Sequence, residues 1–356
     1  MSRIVTFGEI MARLAAPGFK RFQQAMPGSL DVTFAGAEAN VAASIACLGG
    51  DVCFVTTLPD HALADACVAS LRALKVDTQH ILRTPAGRLG LYFLETGANQ
   101  RSGNVIYDRE GSAVAITTPE AYDWDAIFNG AEWFLISGIT PAISRNASTV
   151  AATAMREATQ RGVKVACDMN FRAKLWQWEP GTAPRELASR TMIELMPFVD
   201  LFIGGREDAA EMLGIHPAPD AADPLLDVAR QITACYPRIR RVATTLREGV
   251  SASHNNWGGL LYEAATDQVF RSPLKDGQYL PYPITHMVDR LGGGDAFTAG
   301  LLFALTTPEL AEPLRALAFA VAAGCLAHSI EGDFNFVTRA EIEALAAGAT
   351  SGRVNR

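Results

Sequence analysis

The stretch DRLGGGDAFTAG, residues 289–300, places three glycines directly before an aspartate and an apolar run. Consecutive glycines cost backbone entropy and pack no side chain, so they indicate a place where backbone must come close to something. A glycine-rich turn leading into a helix over residues 296–305 would point free backbone N–H groups and the positive end of the helix at one spot. The stretch therefore predicts an anion site.

Asp295 stands within this predicted anion site, where its carboxylate would repel phosphate. A carboxylate is useful there if it takes a proton from a hydroxyl that attacks a phosphoryl group. The glycine N–H groups would then stabilise the phosphoryl oxygens. A purely local alternative is a tight turn in which Asp295 caps the following helix, and the stretch by itself leaves both interpretations open.

Buried strands and amphipathic helices alternate along the chain, which predicts a mainly parallel sheet covered by helices on both faces. Ligands of such sheets lie beyond the carboxyl ends of the strands. The expected strands cover residues 4–10, 51–58, 133–137, 163–168, 200–203 and 241–245, and the expected helices cover 38–49, 62–74, 144–161, 185–196, 206–213 and 224–236.

Two segments, residues 13–35 and 88–115, interrupt this alternation with short runs of period two separated by turn residues. That pattern is typical of antiparallel strands, and we expect a small β lid over the main sheet. Residues 1–350 are predicted to form a single domain with these lid segments. Residues 351–356 are expected to be a loose tail.

Charge and composition narrow the class of protein. The formal net charge is −7 and no long run of Lys or Arg is present, so we expect neither a nucleic-acid partner nor an anionic membrane surface. Six scattered cysteines, no CxxC pair and no basic-then-apolar N-terminal segment favour reduced thiols in a cytoplasmic protein. The apolar run at residues 314–330 predicts a buried helix rather than a membrane span.

Several stretches, taken together and in order, resemble the ribokinase-like (PfkB) family of sugar kinases. They are Gly8–Glu9, AGAEANVAASIACLGG (35–50), DMNFRAKLW (168–176), TTLREGVSAS (244–253) and DRLGGGDAF (289–297). The resemblance implies a three-layer α/β/α sandwich with a β lid, and catalysis with ATP and Mg²⁺. Within the family, SGITPAIS (137–144) and NVIYDREGSA (104–113) are typical of the 2-keto-3-deoxygluconate kinases.

The resemblance also implies residue roles. Asp295 would be the general base, and the N–H groups of Gly292, Gly293 and Gly294 the anion hole. The sugar acid would contact Gly36, Asn40, Tyr92, Tyr107, Arg109, Arg172 and Asp333, while the nucleotide would lie along Thr245, Arg247, Gly292 and Gly294. From the residues alone, Arg109 could instead form a surface salt bridge with Asp108 or Glu110, and Asp333 could cap a turn.

Three motifs depart from the family's usual form, at four positions. Arg290 and Gly293 stand where Thr and Ala are common in DTxGAGD. Gly205 replaces the Asn of the NxxE stretch that orders metal-bound water, which leaves Asp208 as an indirect metal contact, with Glu207 beside it. Glu248 stands where Gly is usual on the nucleotide side.

The sequence thus predicts an ATP-dependent kinase that converts 2-keto-3-deoxygluconate into its 6-phosphate, in a homo-oligomer. Two alternatives stay open: the same reaction on 2-keto-3-deoxygalactonate, tagatose or fructose, and a non-catalytic sugar-acid binding protein of the same fold.

Overall fold

The computed structural model describes residues 2–349, so the predicted tail at 351–356 lies outside the described residues. Its strands, numbered in chain order, are β1 (Arg3–Phe7), β2 (Met11–Ala15), β3 (Asp31–Ala35), β4 (Val52–Pro59), β5 (Ile81–Thr84), β6 (Gly90–Glu95), β7 (Asn104–Asp108), β8 (Ala131–Ser137), β9 (Lys164–Asp168), β10 (Leu201–Ile203), β11 (Arg241–Gly249), β12 (Asn255–Glu263), β13 (Gln268–Ser272), β14 (Leu274–Lys275), β15 (Gln278–Tyr279) and β16 (Tyr282–Ile284).

The helices alternate with these strands and agree with most of the predicted ranges. They are α1 (Phe22–Ala25), α2 (Ala37–Cys47), α3 (Ala62–Ala73), α4 (Ala113–Ile116), α5 (Trp124–Phe128), α6 (Thr140–Ile143), α7 (Arg145–Gln160), α8 (Pro184–Leu195), α9 (Arg206–Leu213), α10 (Pro224–Cys235), α11 (Gly293–Leu305), α12 (Pro313–Ala327) and α13 (Arg339–Ala346).

The central sheet has the order β13-β12-β11-β10-β9-β8-β1-β4-β5, with β16 beside β12. The strands from β11 to β5 are parallel, whereas β12, β13 and β16 pair in antiparallel fashion. Because helices cover both faces of the parallel sheet, its strands are buried on both faces. In β1, Ile4 lies in the hydrophobic core on one face and Val5 in the core on the other. The predicted α/β/α sandwich with a mainly parallel sheet is confirmed.

Helices cover both faces of the sheet. One core contains the apolar sides of α2, α3, α11 and α12, and the other those of α7 to α10. The apolar run predicted as a buried helix forms α12. It packs closely against α11 at Gly300, where an added Cβ would lie only 3.0 Å from Cα of Ala320. Within residues 2–349, no helix combines the length and apolarity needed to cross a membrane.

The two segments outside the alternation form a separate four-stranded sheet, which we call the lid sheet, with the order β3-β2-β6-β7. Its outer pairs are antiparallel, as expected, but the central pair, β2 and β6, is parallel. The prediction of antiparallel strands throughout was therefore wrong at the centre. A hairpin enforces antiparallel pairing, whereas β2 and β6 are connected through β4 and α3 of the main layer.

Candidate active site

A cavity of about 360 Å³ lies between the lid sheet and the carboxyl ends of the parallel strands. This is the edge at which open α/β sheets bind ligands. Every residue that the sequence assigned to a site lies on its wall: Gly36, Asn40, Tyr92, Tyr107, Arg109, Arg172, Asp208, Thr245, Arg247, Gly292, Gly293, Gly294, Asp295 and Asp333. Their roles stay predictions, whereas their contacts follow from the structure.

The glycines form the first turn of α11 rather than a loop before it. The helix begins at Gly293, three residues earlier than predicted, and its N-cap is Gly292 in the left-handed region with φ of 79°. The first N–H bonded within the helix is that of Ala296, which donates to the Gly292 carbonyl at 2.8 Å. The N–H groups of Gly293, Gly294 and Asp295 are therefore not used by the helix, and we call them the glycine cradle.

Asp295 is the third residue of α11 and does not cap it, so the local capping alternative is wrong. Its Oδ2 accepts a hydrogen bond from Nδ2 of Asn40 at 2.7 Å, and Oδ1 of Asn40 accepts from the Gly36 N–H at 3.2 Å. Burial raises the pKa of Asp295 to about 7, against the opposing hydrogen bond from Asn40. A carboxyl with this pKa can act as a general base near neutral pH.

Two further carboxyl groups on the cavity wall were missed by sequence reasoning. Asp168 ends β9, and burial followed by the charges of Asp295 and Asp208 holds its pKa well above the usual range. Glu38 is 1% exposed and its Oε1 accepts from Ser137 Oγ at 2.7 Å. Burial raises the pKa of Glu38 as well. The sequence signals available were the acidic residue that opens DMNFR and the one inside AGAEAN.

Arg109 pairs with neither sequence neighbour that was considered for it. It is buried, and its Nε donates to Oε2 of Glu9 at 2.6 Å, with a second contact from Nη2. Asp108 instead pairs with Arg88 on the lid surface. Because Glu9 neutralises it, Arg109 offers hydrogen bonds to a ligand more than net charge. Glu9 was quoted in the sequence pattern but given no role.

Tyr92 and Asp333, both expected to contact the sugar, contact each other. The Tyr92 hydroxyl donates to Oδ1 of Asp333 at 2.8 Å, and the same oxygen accepts from Nη1 of Arg13 at 2.5 Å. Asp333 therefore does not act as a turn cap. Tyr107 lies beside this group, with its ring centroid 6.3 Å from that of Tyr92 and the Arg109 guanidinium 5.7 Å away. Arg13 was not identified from sequence.

Three arginines face the cavity on the side of the glycine cradle: Arg172, Arg247 and Arg290. Among residues 2–349, none of the three forms a salt bridge. Burial and then the charges of Arg290 and Arg172 lower the pKa of Arg247, as expected for cations that lack acidic partners. Thr245 precedes Arg247 on β11. This wall suits a polyphosphate or a carboxylate.

Asp208, the predicted indirect metal contact, has both oxygens engaged by backbone. Oδ2 accepts from the Gly205 N–H at 2.8 Å and Oδ1 from the Phe171 N–H at 3.0 Å, which caps α9 and holds the loop after β9. Its neighbour Glu207 is exposed. In the part of the chain that the structure describes, no three acidic, His or Cys side chains group closely enough to hold a metal alone.

The comparison with protein families identifies the family of the chain. The model of the pfkB family carbohydrate kinases matches residues 1–338. The chain belongs to the pfkB family. The cavity at the edge of the parallel sheet, where the glycine cradle lies beside a carboxylate under the lid sheet, is the candidate active site of this carbohydrate kinase.

Similar proteins within the family share nearly the whole length. The 2-dehydro-3-deoxygalactonokinase of Haloferax volcanii is 32% identical over 99% of this chain and 98% of its own length. The 2-dehydro-3-deoxygluconokinase of Thermoproteus tenax is 28% identical over 94% of this chain and 90% of its own. A crystal structure of the Thermotoga maritima 2-dehydro-3-deoxygluconokinase has a TM-score of 0.88 and 40% identity, covering 98% of this chain and 100% of that one.

Proposed function

We propose that the protein is an ATP-dependent kinase that transfers the γ-phosphoryl group to the 6-hydroxyl of 2-keto-3-deoxygluconate, the compound also called 2-dehydro-3-deoxygluconate. The observation that carries this proposal is Asp295, with a pKa raised to about 7, standing in the glycine cradle at the floor of a cavity rich in arginine. The kinases named for this sugar acid and for its galactonate epimer support the choice of substrate.

Asp295, Asn40 and the glycine N–H groups take part in the proposed phosphoryl transfer. The sugar hydroxyl attacks the γ-phosphorus of ATP, so that a new O–P bond forms while the bond from phosphorus to the β,γ-bridging oxygen breaks. Asp295 takes the hydroxyl proton, and ADP leaves with the electron pair of the broken bond. The N–H groups of Gly293 and Gly294 stabilise the equatorial oxygens. Asn40 orients the Asp295 carboxylate through its 2.7 Å hydrogen bond.

Arg172 is the residue we propose for recognising the acid group of the substrate. It carries no ion pair among the described residues, whereas the charge of Arg109 is neutralised by Glu9. Arg109 and Tyr107 would add hydrogen bonds to hydroxyl groups. Tyr92 and Asp333 would shape the wall from behind, because their polar atoms already bond each other.

Mg²⁺ fits the acidic wall of the cavity. The pKa of Asp168 is raised by burial and by Asp295 and Asp208, so a cation there would relieve repulsion among carboxylates. Mg²⁺ keeps several water ligands, which makes an incomplete set of protein donors suitable. Asp168 would hold the ion and Asp208 would accept from its waters. When bound, the ion would neutralise charge on the phosphates.

An ADP-release assay with ATP and Mg²⁺ tests the substrate. The panel contains 2-keto-3-deoxygluconate, 2-keto-3-deoxygalactonate, gluconate, fructose, tagatose and ribose. Turnover confined to the keto-deoxy acids supports the proposal, and their ratio gives the preference at C4. Activity on neutral sugars alone would discard the acid substrate, and no activity with any sugar at any Mg²⁺ concentration would favour a binding protein.

The role of Arg172 is tested by removing the guanidinium from the enzyme and, separately, the carboxylate charge from the substrate. Arg172→Met and Arg109→Met are compared on 2-keto-3-deoxygluconate and on its methyl ester. We expect Arg172→Met to lower kcat/KM for the acid about tenfold more than for the ester, since a charge-assisted hydrogen bond contributes about 1.5–3 kcal/mol. Arg109→Met should lower both alike. Equal losses in Arg172→Met would refute its role as acid reader.

The homo-oligomer, the cytoplasmic location and the absence of a nucleic-acid partner stay predictions. Light scattering of the purified protein measures the first directly.

A further inference from the structure

Arg13 connects the lid sheet to the segments that frame the glycine cradle. It lies on β2 and is 3% exposed. Its Nη2 donates to Oδ2 of Asp289 at 2.5 Å, and its Nη1 donates to Oδ1 of Asp333 at the same distance. The partners lie 276 and 320 residues further along the chain. One planar guanidinium therefore bridges two carboxyl groups from different loops.

Both partners of Arg13 shape the backbone at the cradle. Oδ1 of Asp289 accepts from the N–H groups of Arg290 at 2.7 Å and Leu291 at 3.1 Å, which fixes the turn leading to Gly292. The Asp333 carbonyl oxygen packs against Gly292 so closely that a Cβ there would lie 2.3 Å from it. Gly292 thus marks the point where the segment that begins at Asp289 packs against Asp333, and Arg13 joins these two segments.

The lid reaches the same point a second time, through the hydrogen bond from Tyr92 to Asp333. Tyr92 pairs with Tyr107 across β6 and β7, on the wall where the sugar is proposed to bind. A shift of the lid sheet would therefore pull on Asp289 and Asp333, and through them on the N-cap of α11. The direction of the cradle N–H groups depends on that cap.

We propose that Arg13 is a positioning residue that couples the lid sheet to the glycine cradle, an inference that rests on the proposed transfer reaction. Closure of the lid on the sugar would be transmitted through Arg13 to the backbone groups that stabilise the phosphoryl oxygens. Misplacement of a reacting group by about 1 Å can cost about 100-fold in rate. Loss of Arg13 should thus lower kcat much more than it raises KM.

The test removes the bridge and limits the buried charge that is left unpaired. Arg13→Met alone strands two carboxylates and could unfold the protein, because an unpaired buried charge is strongly destabilising. The double variant Arg13→Met/Asp333→Asn removes one of those charges, and Arg13→Lys keeps the positive charge but loses the two-armed guanidinium. Arg88→Met is the matched control, since Arg88 pairs on the lid surface with Asp108.

Three quantities are measured for each variant: the unfolding temperature, kcat with KM for both substrates, and hydrogen exchange of peptides covering residues 289–297. We expect the double variant to unfold close to the wild type, to lose about 100-fold in kcat with KM for ATP within threefold, and to exchange at least tenfold faster in that segment. Arg13→Lys should lie between, and Arg88→Met should match the wild type.

A double variant with restored stability, wild-type kcat and unchanged exchange would show that Arg13 only holds the fold together, and would overturn the proposal. A wild type that phosphorylates none of the sugars would defeat the proposed function instead. The exchange comparison needs no substrate, so in that case it still decides whether Arg13 orders the cradle.

Discussion

Replacement of Asp295 by Asn separates the chemistry of the site from its binding. The variant keeps the size of the side chain and a carbonyl oxygen for the Asn40 amide, but loses the ability to accept a proton at neutral pH. General base catalysis contributes about 10²- to 10⁴-fold, so kcat should fall by that factor while the Kd of the sugar acid stays within about threefold. Asp220→Asn, at an exposed position, is the control.

The raised pKa of about 7 predicts how the wild type responds to pH. Only the ionised carboxylate accepts the proton, and about a tenth of it is ionised at pH 6 against about nine tenths at pH 8. The value of kcat/KM for the sugar should therefore rise about tenfold over this range. Bound ATP adds negative charge, so at saturating nucleotide the midpoint is expected at about 7 or above.

Stability should change in the opposite direction with pH. A carboxyl group whose pKa is higher in the folded than in the unfolded chain stabilises the fold fully only when the pH is below its unfolded pKa, which is about 4. This stabilisation is lost as the pH rises through the folded pKa of about 7. Asp295→Asn should therefore be more stable than the wild type at pH 8, by roughly 1 kcal/mol or more after allowance for solvent screening, and equal to it near pH 4.

Steady-state kinetics from pH 5.5 to 9 measure the pH dependence of kcat/KM. Urea unfolding at pH 4, 6 and 8 measures the pH dependence of stability. A flat kcat/KM profile in the wild type would refute the raised pKa. A variant with near-native kcat would refute Asp295 as the base, whatever its stability.

Two other predictions concern the cradle and the metal. Gly293→Ala should cost about 1–3 kcal/mol in urea unfolding, because its Cβ would lie 2.6 Å from Cε1 of His328. The same substitution made in a His328→Ala background should cost much less, and an equal cost in both backgrounds would exclude the ring as the cause. Asp208→Ala should lower the free energy of unfolding by about 1–2 kcal/mol, because the α9 cap is lost, and should raise the Mg²⁺ concentration that gives half-maximal rate. Glu207→Ala, the control, should do neither. An unchanged Mg²⁺ dependence in Asp208→Ala would contradict its proposed contact with Mg²⁺-bound water.

His328 explains why the motif has Gly where Ala is common in the family. Its ring is 2% exposed, its Nδ1 lies 2.7 Å from the Gly324 carbonyl oxygen, and it packs against Trp257 with ring centroids 4.9 Å apart. Burial lowers the pKa of His328, which keeps the ring neutral beside Arg247 and Arg290. The ring occupies the space that a methyl group on Gly293 would need.

Much of the fold was predictable because its signals are local. The strand ending at Asp168 and the helix Arg206–Leu213 follow from apolar periodicity within single elements. The start of α11 was predicted three residues too late because glycine has low helix propensity. In the structure, neighbouring atoms leave no room for a Cβ at position 292 or 293, so the beginning of the helix requires glycine there.

The sequence by itself indicated the candidate reactive centre, since Asp295 and its glycines are adjacent in the chain, and the resemblance of the other motifs to the family favoured a general base over a helix cap. Only the tertiary structure decided which charged groups pair. Arg109 meets Glu9, 100 residues away, and Arg13 meets Asp289 and Asp333, 276 and 320 residues away. Many carboxylates along the chain could pair with a given arginine equally well. Which one does so depends on distances in space, and only the folded sheets fix those distances.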